Sequence, residues 1–157
     1  MHKIILMISL LIISCDFIND NQSQSNKIIN YSEDGGYSET IINNTDSIIK
    51  TYYDNGQVEE HLTYKKNGKL IDFRQYYKTG ELEYETIFNE DSTDIFRNFY
   101  KNGQLSYFAT YYDSLAHGPC KSFYENGKIE YELFYLNDSL ISESCWDKNG
   151  SEIECIY

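Results

Sequence analysis

The sequence predicts an all-β fold: an elongated, single-layer antiparallel meander of about ten strands over residues 47–157. Two observations lead to this prediction. A short aromatic motif that ends in glycine recurs every 23 or 24 residues, and self-similarity at such a period is typical of repeat architectures. Turn signals recur about every 12 residues, and the segments between them are rich in Tyr, Phe, Ile and Thr, which strands favour.

The repeated motif has two aromatic residues, a spacer, Asn-Gly, a variable residue and an aliphatic residue. Clear copies occupy residues 52–58, 99–105 and 123–129, a copy with Thr79 for Asn occupies 76–82, and a degenerate copy occupies 146–150. Asn-Gly between alternating residues predicts a hairpin with a two-residue type I′ turn, in which both central residues have positive φ.

A two-residue turn fixes the cross-strand pairs. Around Asn126-Gly127 it predicts that Ile129 faces Tyr124 and that Tyr131 faces Ser122. Each good copy of the motif should therefore pair its aliphatic residue with an aromatic residue, a contact that contributes roughly 0.2–1 kcal/mol.

Alternation along the strands predicts which side chains share a face. One face carries Val58, Leu62, Tyr64, Leu82, Tyr84, Phe88, Leu105, Tyr107, Ala109, Tyr111, Ile129, Tyr131, Leu133 and Tyr135. The opposite face carries Glu59, His61, Glu83, Glu85, Glu130 and Glu132. The tyrosines of the first face are favoured as its core, with partial exposure, and they are also the candidate binding surface for a peptide or glycan: Tyr64, Tyr84, Tyr107, Tyr111, Tyr131 and Tyr135.

These units resemble the bacterial variant of the MORN repeat, which carries Tyr-x-Asn-Gly-x-Leu and a tyrosine some residues later. The resemblance covers about residues 50–157 and implies an elongated, twisted single-layer sheet of tandem MORN-type β-hairpin repeats. The intermediate turns depart from the family pattern, because only Gly68 and Gly118 keep a glycine there.

The amino terminus predicts export and lipidation. A short basic start precedes an apolar run over residues 4–13, which has the size of a secretory signal and is too short to span a bilayer. Ile12-Ile13-Ser14-Cys15 resembles the bacterial lipobox. We therefore expect residues 1–14 to be a lipoprotein signal peptide and Cys15 to carry lipid, palmitate included. The alternatives are a plain signal peptide and an uncleaved anchor.

The predicted domain organisation has two further parts. Residues 15–46 are the lipidated cysteine and a flexible polar tether rich in Asn, Ser, Gln and Asp. Residues 47–157 are the repeat domain. The expected location is the bacterial cell envelope, anchored to a membrane, with the outer membrane favoured over the inner one.

The charge of the chain excludes one class of partner. The full sequence carries 13 basic and 25 acidic residues, and loss of Lys3 with the signal changes the net charge from −12 to about −13. Such a chain is repelled by nucleic-acid phosphates and by anionic lipid headgroups. We expect no nucleic-acid binding.

No catalytic or metal-binding pattern stands out. His61 and His117 lie about two repeats apart, so solvated surface positions are the simpler interpretation. The oxygen-rich loop Asn89–Asp94 could hold calcium but is favoured as a solvated turn. Asp-Ser pairs at residues 46, 91, 113 and 138 are similar to a periplasmic O-glycosylation site, although Asp and Ser are common in turns. The sequence predicts no enzyme and no cofactor.

The remaining cysteines leave one pairing open. Cys120, Cys145 and Cys155 are an odd number for an oxidising compartment. With a two-residue turn at Asn149-Gly150, Trp146 faces Ile153, while Cys145 and Cys155 point to opposite faces. A disulfide would need a register shift of one residue.

The favoured function is a non-catalytic interaction module that presents the tyrosine-lined sheet to a protein or glycan partner. The alternative is an antitoxin-like or immunity-type lipoprotein that neutralises a toxin, which the family resemblance alone suggests.

Overall fold

The computed structural model describes residues 25–31 and 36–156, which form one open antiparallel sheet and no helix. Its twelve strands follow each other in chain order, so every strand pairs with its neighbours in sequence. The strands are β1 (Asn26–Tyr31), β2 (Tyr37–Ile42), β3 (Asp46–Tyr52), β4 (Val58–Lys65), β5 (Leu70–Tyr76), β6 (Leu82–Phe88), β7 (Thr93–Phe99), β8 (Leu105–Tyr112), β9 (Leu115–Phe123), β10 (Ile129–Leu136), β11 (Ser139–Trp146) and β12 (Glu152–Ile153). The predicted all-β meander is confirmed.

The sheet begins earlier in the chain than the sequence predicted. The ten strands β3 to β12 fill the predicted repeat domain, but β1 and β2 lie inside the segment assigned to the tether. They join because β2 runs antiparallel to β3, with Ile41 opposite Ile48 and Thr40 opposite Ile49. Residues 26–31 and 37–42 therefore form strands where the sequence predicted a flexible tether. The predicted signal peptide and Cys15 lie outside the described residues.

The Asn-Gly turns differ from the predicted type I′ geometry. In the turn at residues 124–128, the Gly127 amide donates to the Tyr124 carbonyl at 2.8 Å, and the Tyr124 amide donates to the Lys128 carbonyl at 2.8 Å. Only Gly127 has positive φ, at 81°. This is a type I turn followed by a glycine bulge, the usual three-residue hairpin connection. Asn126 accepts the Lys128 amide on its side chain, which holds the asparagine inside the turn.

The larger turn and a nearby bulge change the pairing that the sequence predicted. Ile129 faces Phe123 and not Tyr124, whereas Tyr131 faces Ser122 as expected. The same shift recurs in the other hairpins, where Val58, Leu82 and Leu105 face Tyr52, Tyr76 and Phe99. The aliphatic residue of each motif thus pairs with the first aromatic residue, and the second aromatic residue is left for another role.

That role is to link successive repeats. The tyrosine at the second aromatic position of each motif donates its hydroxyl to a backbone carbonyl of the next hairpin, 22 or 23 residues further on. The pairs are Tyr53 to Tyr76, Tyr77 to Phe99, Tyr100 to Phe123 and Tyr124 to Trp146, at 2.6–2.9 Å. A repeat contacts only its neighbours in such an array, so these bonds stabilise the stacking of hairpins.

The motif asparagine makes a second inter-repeat bond. Asn55, Asn102 and Asn126 each donate the side-chain amide to a carbonyl in the next turn, at 2.7–3.2 Å. Their side-chain oxygens also accept the amide two residues ahead. Thr79 occupies this position in the remaining clear copy, and a threonine lacks the amide group that makes both bonds.

Thr79→Asn is therefore expected to raise the free energy of unfolding by about 0.5–1.5 kcal/mol, the net value of a hydrogen bond. Urea denaturation followed by circular dichroism measures the change. Asn102→Thr is the matched control and should lower stability by a similar amount. A Thr79→Asn protein no more stable than the wild type would contradict this assignment.

Type I′ turns do occur, but at intermediate turns without glycine. Asp113 and Ser114 have φ of 50° and 67°, and Asn137 and Asp138 have φ of 49° and 64°. Each pair is the whole loop, since Tyr112 faces Leu115 and Leu136 faces Ser139. Asp and Asn tolerate this left-handed backbone better than most residues.

The sheet has a small core near its carboxy-terminal half. Ala109, Cys120 and Leu133 are the only buried apolar residues among those described, and they are cross-strand neighbours on β8, β9 and β10. Partly buried tyrosines pack around them: Tyr107, Tyr111, Tyr131 and Tyr135. A single layer cannot bury more, because no second layer covers either face in the described part of the chain.

Cys145 and Cys155 form a disulfide, with Cα atoms 5.3 Å apart. The last turn closes over five residues, with the Asp147 amide bonded to the Ser151 carbonyl. Cys145 therefore faces Ile153, and Trp146 faces Glu152. The predicted Trp146–Ile153 pair is wrong, and the one-residue shift places Cys155 on the same face as Cys145. Cys120 is a free, buried cysteine.

Candidate binding face

All six tyrosines of the candidate surface lie on one face of the sheet. A cross-strand row runs from Tyr84 through Asn98 to Tyr107, and then through Ser122 to Tyr131. These tyrosines occupy alternate strands, so they are spaced by roughly 10 Å. Tyr64, Tyr111 and Tyr135 lie towards the other ends of their strands on the same side. We call this side the tyrosine face.

Aromatic contacts continue between the tyrosines. The rings of Phe73, Tyr84, Phe96 and Tyr107 form a chain with centroids 5.2, 5.8 and 6.0 Å apart. All six tyrosines are partly exposed. They act as core and as surface at once, because the rings cover the small central residues on one side and meet solvent on the other.

The tyrosine face has a hollow over its smallest residues. The central row changes from Phe96 to Ala109 and Cys120 before Leu133 restores a large side chain. A pocket of about 220 Å³ lies there, and it is lined by Tyr107, Ala109, Tyr111, Ala116, Cys120 and Tyr135. The Cys120 thiol donates to the Tyr107 hydroxyl at 3.1 Å. Burial raises the pKa of the Cys120 thiol, so this cysteine stays protonated and unreactive.

A second pocket, of about 450 Å³, lies near the first hairpins. Its lining mixes aromatic side chains with charges of both signs, including Tyr37, Tyr52, Asp54 and Lys78. Asp54 and Lys78 already pair with each other at 2.6 Å. Glu59 is the third charged residue of the lining and forms no ion pair within the described residues, so the charge that this pocket offers a ligand is negative.

The opposite side, the charged face, carries a row of ionisable residues that only Phe108 interrupts. The row runs through Lys50, His61, Arg74, Glu85, Arg97, Phe108, Lys121 and Glu132. Glu85 accepts from Arg74 at 3.3 Å and from Arg97 at 2.6 Å, and Glu132 accepts from Lys121 at 2.6 Å. The charges on this face largely neutralise one another.

The cations of the strands are segregated. The strand register places every lysine and arginine of the strands on the charged face: Lys27, Lys50, Lys65, Arg74, Arg97 and Lys121. The tyrosine face carries acids instead. Glu60 faces Gln75, and Asp94 faces Tyr111. Sequence reasoning missed both acids, although the alternation of Asp94, Phe96 and Asn98 was a usable signal.

Burial raises the pKa of the Asp94 carboxyl, and Asp91 adds to the shift while Lys69 opposes it. Asp94 is half-buried, and its side chain has no hydrogen bond or ion pair within the described residues. Its carboxylate is thus poorly solvated and lies next to a ring that lines the hollow.

The two histidines do not form a site. His61 lies on β4 in the charged face, and His117 lies on β9 with its Nδ1 3.0 Å from the Asn137 Oδ1. Four strands lie between them, which places them five strand spacings apart, roughly 24 Å. Among the described residues, no group of three or more His, Cys, Asp or Glu side chains is placed to hold a metal ion.

Burial, together with Lys50 and Arg74, lowers the pKa of His61 from its ordinary value of 6.5. The folded state therefore favours the neutral ring. Stability from this group should be complete above pH 6.5 and should fall as the pH drops towards the lower folded pKa. An NMR titration of the His61 ring measures the pKa directly. Lys50→Met should raise it, and a wild-type pKa at or above 6.5 would contradict the assignment.

Comparison with known families identifies the repeated unit. Residues 46–66 and 116–137 match the MORN repeat variant family. Each match spans one hairpin, β3–β4 or β9–β10, with its Asn-Gly turn at the centre. Each of the two matched segments is thus a hairpin that contains the tyrosine and the asparagine that bond to the next hairpin. A search of curated proteins gives no match to this chain. No helix in the described part of the chain is long and apolar enough to cross a membrane.

Proposed function

We propose that this protein is a non-catalytic interaction module of the bacterial cell envelope that binds a protein partner through its tyrosine face. One observation carries the proposal. Six partly exposed tyrosines lie on one side of a single-layer sheet, and no described residue covers them. Exposed aromatic patches of this kind mark interaction sites more often than chance surface, and tyrosine is enriched at such interfaces.

We also propose that lipid on Cys15 holds the module to a membrane, with the outer membrane favoured. The Cys145–Cys155 disulfide supports export, because disulfides persist outside the reducing cytosol. The protein carries a net charge of −12, so anionic headgroups do not attract it. Its attachment to a membrane would therefore depend on the lipid. Wild-type protein should partition into detergent and Cys15→Ala into the aqueous phase. Equal partitioning of both would contradict the anchor.

A capture experiment tests the binding role. Soluble Cys15→Ala bait at micromolar concentration is incubated with envelope extract, and bound proteins are identified by mass spectrometry. The bait should recover a specific partner, and Tyr84→Ala/Tyr131→Ala in the same background should lose it. Phe108→Ala removes an aromatic ring from the charged face and should keep the partner. Circular dichroism checks that each bait is folded.

Two outcomes would contradict the proposal. One is recovery of no specific partner, and the other is equal recovery of the partner by the Tyr84→Ala/Tyr131→Ala bait and the Phe108→Ala bait. A toxin as the captured partner would identify the module as an immunity-type protein, the alternative that the family resemblance suggests. That result would keep the tyrosine face as the binding surface.

A further inference from the structure

We propose that the tyrosine face docks a basic segment of a protein, with one apolar side chain seated in the hollow over Ala109. This inference rests on the proposed function and adds the chemistry of the partner. It follows from how the sheet distributes its charges, from the rings on this face and from the shape of the hollow.

Charge complementarity favours a basic partner. On the charged face, ion pairs hold four carboxylates, those of Glu39, Asp72, Glu85 and Glu132. On the tyrosine face, no strand contributes a lysine or arginine, and Glu60 and Asp94 form no ion pair within the described residues. Lys69, in a turn, attracts Asp94 without forming an ion pair with it. A partner that brings cations to this face is therefore attracted to both carboxylates, while an acidic partner is repelled.

Asp94 gains most from an incoming cation. It lies opposite Tyr111 at the border of the hollow and is half-buried without a partner. The surrounding protein hinders solvation of this carboxylate. An ammonium or guanidinium group beside it would therefore supply charge-assisted hydrogen bonds that water supplies poorly there.

Lysine ammonium groups already contact tyrosine rings elsewhere in this protein. The Lys101 ammonium lies 5.5 Å from the centre of the Tyr77 ring, and the Lys148 ammonium lies 5.9 Å from that of Tyr124. Both contacts fall within the range of cation–π attraction. The row Tyr84, Tyr107 and Tyr131 offers three more rings at a spacing of roughly 10 Å, but no cation of its own.

The hollow supplies an apolar anchor point. Its volume of about 220 Å³ exceeds that of one large side chain, and its base is Ala109 with the Cys120 thiol. Binding energy in protein interfaces concentrates where such a side chain fills a pocket and excludes water. A strand-like segment with cations and leucines in turn at every second position, such as Lys-Ser-Leu-Ser, would place both kinds of group on the face together, because residues two apart in a strand share a face.

Titration with two synthetic peptides tests this inference. The probes are the eight-residue peptides Lys-Ser-Leu-Ser-Lys-Ser-Leu-Ser and Glu-Ser-Leu-Ser-Glu-Ser-Leu-Ser, added to the full Cys15→Ala protein and followed by calorimetry. The basic peptide should bind and the acidic peptide should not. Glu60→Gln/Asp94→Asn should weaken binding of the basic peptide at least fivefold. Ala116→Phe, which fills the hollow without changing charge, should weaken it too.

The matched control separates a local effect from net charge. Glu39→Gln/Glu132→Gln removes the same two charges from the charged face and should leave the affinity within twofold of the parent. Equal weakening by both double variants would overturn the inference, as would binding of the acidic peptide or absence of binding by the basic one.

The envelope capture distinguishes this inference from the proposed function. A captured partner that is lost with Tyr84→Ala/Tyr131→Ala but kept by Glu60→Gln/Asp94→Asn would overturn the basic-segment inference alone. Capture of a glycan, and not a protein, by the tyrosine face would also overturn the basic-segment inference. A partner that is lost with Tyr84→Ala/Tyr131→Ala and with Glu60→Gln/Asp94→Asn, but kept by Glu39→Gln/Glu132→Gln, supports both the proposed function and the basic-segment inference.

Discussion

Leu133→Ala is expected to lower the free energy of unfolding by about 2–5 kcal/mol, the usual cost of deleting a buried leucine side chain. Leu133 is 7% exposed and packs with Ala109 and Cys120 in the small core. Neighbouring side chains cannot refill the space easily, because Tyr131 and Tyr135 are fixed beside it on the same strand. Urea denaturation followed by circular dichroism measures the loss.

Leu140→Ala on the next strand is the control for this prediction. It removes the same atoms from a residue that is 44% exposed. The loss should stay below about 1 kcal/mol, since most of that side chain already meets water. Equal losses in the two variants would mean that the row on β8, β9 and β10 is not the core.

Loss of the Cys145–Cys155 disulfide is expected to destabilise the last hairpin by about 2–3 kcal/mol, the chain-entropy value for so small a loop. The two cysteines are ten residues apart in sequence. Only Cys145 and Trp146 of β11 pair with β12, so little else holds this end. Amide hydrogen exchange at Asp147 and Gly150 should therefore accelerate by roughly 30- to 150-fold, at 1.36 kcal/mol per factor of ten.

The effect should remain local. In a repeat array each unit contacts its neighbours alone, so amides of β3 to β6 should exchange at the wild-type rate. Reduced wild type and Cys145→Ser/Cys155→Ser should behave alike. Unreduced protein with free thiols at Cys120, Cys145 and Cys155 by mass spectrometry would contradict the pairing.

The fold was predictable because two signals act locally. The motif glycines mark where each hairpin turns, and the residues between them alternate between faces. Ten strands and the shared face of six tyrosines followed from these signals alone. β1 and β2 were missed because Asn, Ser and Thr dominate their surroundings, and their pairing to β3 is a tertiary contact that overrides composition.

The turn geometry was not predictable from the Asn-Gly pair alone. That pair fits either a two-residue type I′ turn or a type I turn with a glycine bulge. The asparagine side chain favours the type I turn with a glycine bulge. In that turn, Asn126 accepts the Lys128 amide and donates to the Lys148 carbonyl in the next repeat. The difference of one residue then determines whether Cys145 and Cys155 meet.

The candidate site was predictable in part. Its tyrosines follow from alternation, whereas the hollow over Ala109 and the cation-free character of the face need the register of several strands at once. Alternation with Phe96 and Asn98 was enough to assign Asp94 to this face, but its position beside the hollow depends on its pairing with Tyr111 on the next strand. Long-range pairing of this kind is not encoded in any short window of sequence.

Site-specific photocrosslinking tests the binding role of the tyrosine face most directly. The photoreactive residue p-benzoylphenylalanine replaces either Tyr131 on the tyrosine face or Phe108 on the charged face, in the full-length protein within cells. We predict a discrete crosslinked product from position 131 and none from position 108. A product from position 108 alone, equal products from both positions, or none from either would contradict the assignment of the tyrosine face as the binding surface.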